Sequence, residues 1–111
     1  MTCHLTKRWG EAIPDPSVGD LQSALADLDK EDPEHPDCWL QDENGWALSA
    51  LGSGLLIFEN VETKQGPWHM LGVSRGGVLH LWELLKAGKL DEIRNRGWLR
   101  GYRRASRFEV L

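Results

Sequence analysis

A chain of 111 residues, 41% apolar and 27% charged, has the composition of one globular domain (1–111), too short for two independent cores and far from the disordered regime. No run reaches the roughly 18 apolar residues that span a bilayer; the polar start Met1-Thr2-Cys3-His4 lacks a signal-peptide core, and two cysteines make no disulfide framework, so the expected setting is cytoplasmic, without a membrane partner. The net charge of −4 hides an asymmetry, because Met1 to Gly66 carries four Lys/Arg against thirteen Asp/Glu, net −9, and Pro67 to Leu111 carries nine against four, net +5.

Residues 1–16 read as irregular, with Pro14 and Pro16 flanking Asp15. Ser17 then caps a helix, with Asp20 at the third helical position of a capping box and an apolar stripe of Val18, Leu21, Leu25 and Leu28. Residues 31–37 hold two prolines and four carboxylates and predict a loop. Four short strands follow, at Cys38 to Gln41, Trp46 to Leu51, Leu55 to Phe58 and Pro67 to Leu71. Asn44-Gly45 predicts a two-residue type I′ hairpin between the first two, and Gly52-Ser53-Gly54 the next turn.

Ser74 caps a second helix whose stripe is Val78, Leu81, Trp82 and Leu85, with Gly88 as its stop. A shorter helix runs from Leu90 to Arg96, and Gly97 ends it. Trp98 opens a basic tail, 98–111, with a final strand expected near Arg104 to Val110. The expected fold is α+β: a central four-stranded antiparallel meander with one helix before it and two after it.

Chemistry-bearing residues are sparse. His69 or His80 could serve as a general base, but no nucleophile motif accompanies either, so structural or surface roles are expected and no enzyme is read. Gly72, Gly76 and Gly77 do not fit a phosphate-binding fingerprint. Cys3-His4 together with His35 and Cys38 offers two thiolates and two imidazoles, a set zinc accepts, but without a standard spacing. No metal or cofactor is expected. Arg94, Arg96, Arg100, Arg103, Arg104 and Arg107 interleave with Trp98, Tyr102 and Phe108 as in nucleic-acid binders. The acidic total argues instead for aromatics docked on the domain and arginines facing solvent or the acidic half, without a nucleic-acid partner.

His35-Pro36-Asp37-Cys38-Trp39-Leu40-Gln41-Asp42-Glu43-Asn44-Gly45-Trp46-Ala47-Leu48, continued by Gly54-Leu55-Leu56-Ile57-Phe58-Glu59-Asn60, resembles small bacterial immunity proteins of toxin–immunity pairs. His69-Met70-Leu71-Gly72-Val73-Ser74, Leu81-Trp82-Glu83-Leu84-Leu85 and Gly97-Trp98-Leu99-Arg100-Gly101-Tyr102 are similar to the same group. The resemblance implies a cytoplasmic, non-catalytic protein that binds the toxic C-terminal domain of a secreted effector and occludes its active site, contact-dependent growth inhibition being one such setting. Many such toxins are basic nucleases, which an acidic inhibitor would attract quickly. Charge and turn geometry, not the resemblance, place the contact on Asp42 and Glu43 at the hairpin tip, with Glu59 and Glu62 nearby and Trp46 as an aromatic anchor. The alternation of Trp46, Leu48 and Ala50 more often marks a core face. The alternative function is a small interaction or scaffold module without a toxin partner.

Overall fold

The computed structural model describes residues 2–102. Seven strands form a single antiparallel sheet in the order β2-β1-β3-β4-β5-β6-β7. These are β1 (Cys3–Thr6), β2 (Ala12–Pro14), β3 (Asp37–Asp42), β4 (Trp46–Leu51), β5 (Leu56–Asn60), β6 (Trp68–Met70) and β7 (Leu99–Arg100). Helix α1 (Val18–Asp27) joins β2 to β3, and α2 (Arg75–Lys86) and α3 (Leu90–Arg94) join β6 to β7.

The α+β class and the meander β3 to β6 agree with expectation, but the sheet is larger than four strands. Residues 1–16 are not irregular: β1 and β2 form a hairpin, and β1 pairs with β3 across the intervening helix, Leu5 facing Leu40. Pro14 is compatible with this because β2 is the edge strand, where a missing amide donor costs no ladder bond. At the other edge Leu99 pairs with His69 and Arg100 with Trp68. The strand expected near Arg104 to Val110, and the docking of Phe108, lie outside the described residues.

Three of the hairpins close in the same way. In the turns 7–10, 42–45 and 51–54 the fourth residue is a glycine whose amide donates to the first carbonyl, at 2.9, 3.2 and 3.1 Å. Those glycines, Gly10, Gly45 and Gly54, have φ of 94°, 92° and 93°. A three-residue loop with one left-handed glycine therefore replaces the type I′ turn expected at Asn44-Gly45. Asn44 has no positive φ, because the Asp42 carboxylate accepts both the Asn44 and the Trp46 amides at 2.9 Å and holds the turn right-handed. At Gly45 a Cβ would lie 2.7 Å from Asn60 Oδ1, so space as well as φ demands glycine.

The helices obey their caps. Ser17 and Asp20 exchange both capping-box bonds, and the Ser74 hydroxyl accepts the Gly77 amide at 3.1 Å. All three helices cover one face of the sheet. Leu21, Leu25 and Leu28 of α1, Val78, Leu81, Trp82 and Leu85 of α2, and Ile93 of α3 pack on Leu5, Leu40, Leu48, Leu56 and Phe58. Val18, placed on the α1 stripe by its spacing, is 44% exposed. Among the described residues no helix is long and apolar enough to cross a membrane.

Candidate interaction surface

Because strand side chains alternate, a sheet covered on one face presents its other face to solvent. Here that face carries a continuous cross-strand row: Thr6, Trp39, Ser49, Ile57, His69 and Leu99 are successive register partners from β1 to β7. At the usual strand spacing the row is about 24 Å long. A second row beside it runs His4, Gln41, Ala47, Glu59. Trp39 and Ile57, on either side of Ser49, are half-buried and Leu99 is exposed, while His69 and Ala47 on the same face are buried, so the face offers separate apolar side chains among polar ones.

The β7 end of this face is pinned by two polar contacts. His69 is buried, and its Nδ1 donates to the Gly101 carbonyl at 2.7 Å. The Tyr102 hydroxyl donates to Glu59 Oε1 at 2.8 Å, and this bond to a carboxylate pushes the phenol pKa upward. His69 is thus a structural tie for the 98–102 segment. His80 is exposed, 3.4 Å from the Arg96 guanidinium.

The five residues assigned to a partner contact separate into two groups. Glu43 is exposed at the β3–β4 turn and accepts the Thr2 amide at 3.0 Å. Glu62 is exposed in the turn after β5, with its side chain against Gly45. The two turns are joined by the Val61 amide to the Gly45 carbonyl at 2.9 Å and the Asn60 side-chain amide to the Asn44 carbonyl at 3.0 Å. Glu59 lies on the open face one strand from Ala47. These three carboxylates therefore mark one end of the open face, and none makes an ion pair among the described residues.

Asp42 and Trp46 lie elsewhere. Asp42 is 3% exposed, its carboxylate folded back onto the turn amides it holds. Trp46 is 5% exposed on the helix-bearing side, its ring centroid 5.0 Å from that of Phe58 and 6.5 Å from that of Trp68, with the Arg94 guanidinium 4.7 Å from the Trp46 ring centroid. Both residues build the hairpin tip from inside; neither is presented by it.

The charge asymmetry has limited internal compensation. Arg75–Asp29, at 3.2 Å, links the acidic and basic halves; Lys7–Asp27 and His35–Asp32 lie within the acidic half and Lys89–Glu92 within the basic half. The acidic loop is organised by a residue that its sequence context did not single out. Arg8 is 6% exposed and donates to the carbonyls of Asp27, Lys30, Asp32 and His35 at 2.6 to 3.0 Å. Beside it the Trp9 indole donates to Asp32 Oδ2 at 2.7 Å, which lowers the Asp32 pKa, aided by His35.

Cys3 and Cys38 do not form a shared ligand set. Cys3 pairs with Asp42, four residues along β3 from Cys38, a separation of about 13 Å. Among the described residues no three His, Cys, Asp or Glu side chains converge as metal ligands. Burial pushes the Cys38 thiol up to about 12, and burial with Asp42 nearby pushes Cys3 up to about 11. Both are protonated and weakly nucleophilic at neutral pH. The folded protein should therefore resist iodoacetamide at pH 8 while the urea-unfolded chain is alkylated at both positions, as read by intact mass. A folded pKa above the ordinary 9.0 means that this contribution to stability is complete below pH 9 and is lost as pH rises through about 11 and 12. Rapid alkylation of the native protein would contradict this.

No protein-family model, curated protein or solved structure matches this chain.

Proposed function

We infer that this chain is an immunity protein: a non-catalytic, cytoplasmic inhibitor that binds the toxic C-terminal domain of a cognate bacterial toxin and occludes its active site. The observation that supports the reading is the one-sided sheet, whose open face presents Trp39, Ile57 and Leu99 among polar residues, with three carboxylates that make no ion pair among the described residues, Glu43, Glu59 and Glu62, at one end. Accessible aromatic and aliphatic side chains beside a charged rim are features of a protein-binding surface. The rim's sign favours a basic occupant such as a nuclease domain, drawn in by steering at low salt. The −9 charge of residues 1–66 adds to that field over longer range.

The test begins with capture of the partner by the tagged protein from cells in which a neighbouring toxin is expressed, followed by affinity measurement across a salt series. A stoichiometric basic partner is expected. Glu43→Lys with Glu62→Lys should weaken its affinity about tenfold, mainly through a slower and less salt-dependent association. Ile57→Asp should weaken it about a hundredfold by replacing an apolar contact at the middle of the face with a charge. Unchanged affinity in both variants would move the contact off this face. Recovery of no basic partner while the toxin is demonstrably expressed would overturn the immunity reading.

A further inference from the structure

On the helix-bearing side, at the β7 edge and away from the open face, Phe58, Gln65, Trp68, Arg94, Arg96, Trp98 and Arg100 line a cleft of about 470 Å³. That volume lies within the range of small-ligand sites. Phe58 is fully buried and forms the floor, its ring centroid 5.7 Å from that of Trp68 and 5.4 Å from that of Trp98. Both indoles are half-buried and keep part of their surface toward the cleft. Arg100 is the register partner of Trp68, so the ladder places it on the same side.

Among the described residues the charge at this cleft has one sign: no carboxylate lines it, and none of its three arginines makes an ion pair. Two of the guanidiniums are positioned without being neutralised: Arg94 by stacking on Trp46 at 4.7 Å, and Arg96 by the Glu92 carbonyl at 3.1 Å and His80 Nε2 at 3.4 Å. Three cations around one cleft repel one another, and a bound dianion relieves that repulsion. Guanidiniums match phosphate oxygens in pairs, and indole surfaces match flat rings. Gln65 adds an amide that can both donate and accept at the edge of a heterocycle.

We propose that this cleft binds a nucleotide unit, with its phosphate on Arg94, Arg96 and Arg100 and its base against Trp68 and Trp98. The unit can be a free nucleotide or the phosphorylated end of a single strand, since both present the same phosphate and ring. The full chain is titrated with adenosine 5′-monophosphate, with a 5′-phosphorylated single-stranded oligonucleotide and with adenosine, followed by calorimetry and tryptophan fluorescence. Saturable binding is expected, with Kd on the order of 100 µM for a ligand of this size, and at least tenfold weaker binding of adenosine. Arg96→Ala with Arg100→Ala alters exposed side chains, so the fold should persist in thermal melts while affinity falls at least tenfold. Tighter binding of the oligonucleotide than of the monophosphate assigns the site to strand ends; equal binding assigns it to free nucleotides. Absence of saturable binding by either phosphate ligand would overturn the proposal, as would unaltered affinity in the folded double variant.

Discussion

Arg8→Met should destabilise the protein by about 3 kcal/mol, far more than the same substitution at a surface arginine. The arginine is 6% exposed, and four of its five N–H donors are spent on carbonyls of residues 27–35. Asp27 is the last residue of α1, where helix carbonyls lack intrahelical partners and the dipole is negative, and Lys30 follows in the turn just beyond the Leu28 cap. Helix α1 has no basic residue in its own last turn. The β1–β2 hairpin supplies that cation from outside. Methionine fills the space but leaves the Lys30 and His35 carbonyls without their donor, and leaves those of Asp27 and Asp32 with only the Lys30 and His35 amides. Arg8→Lys should recover less than half of the loss, because one ammonium cannot reproduce a planar fork reaching four acceptors. Urea unfolding followed by circular dichroism gives the magnitudes, and amide exchange should show protection falling first in residues 28–37. A loss under about 1 kcal/mol for Arg8→Met would mean that water satisfies the loop as well as the guanidinium does.

Such a residue is not visible from local pattern. Lys7-Arg8-Trp9-Gly10 reads as a polar turn, and its partners lie 19 to 27 residues away. The same distance problem hides β1, whose four residues pair locally only with the three-residue edge strand β2 and otherwise with the distant β3. Where the signal is local, the reading holds for Ser17 with Asp20, for Ser74 with the 78–85 stripe, and for the position, though not the type, of the turn at Asn44-Gly45. The residues expected to meet a partner divide along this line. Glu43 and Glu62 could be placed from turn positions and Glu59 from the end of β5, but whether Asp42 faced water depended on the Asn44 and Trp46 amides. Trp46 followed the alternation it shares with Leu48 and Ala50, which are buried with it. The open face itself emerges only once all helices are known to lie on one side.

The deepest loss should come from Trp82→Ala, about 4 kcal/mol. Trp82 is fully buried on α2, the helix that touches α1, α3, β3 and β4 and so carries much of the contact between the helical layer and the sheet. Its ring supplies apolar area, and its indole N–H donates to the Leu48 carbonyl of β4 at 3.0 Å. Alanine removes both contributions and leaves a cavity that the surrounding helices can fill only by shifting. Trp82→Phe keeps most of the apolar body and loses the donor, so it should cost about 1–2 kcal/mol. The difference between the variants separates packing from hydrogen bonding at the helix–sheet seam. Urea titrations should be followed by far-ultraviolet dichroism, since each variant alters the tryptophan signal. A loss below about 1.5 kcal/mol for alanine would show that α2 closes onto β4 without the ring, and the seam would then rest on Leu81 and Leu85.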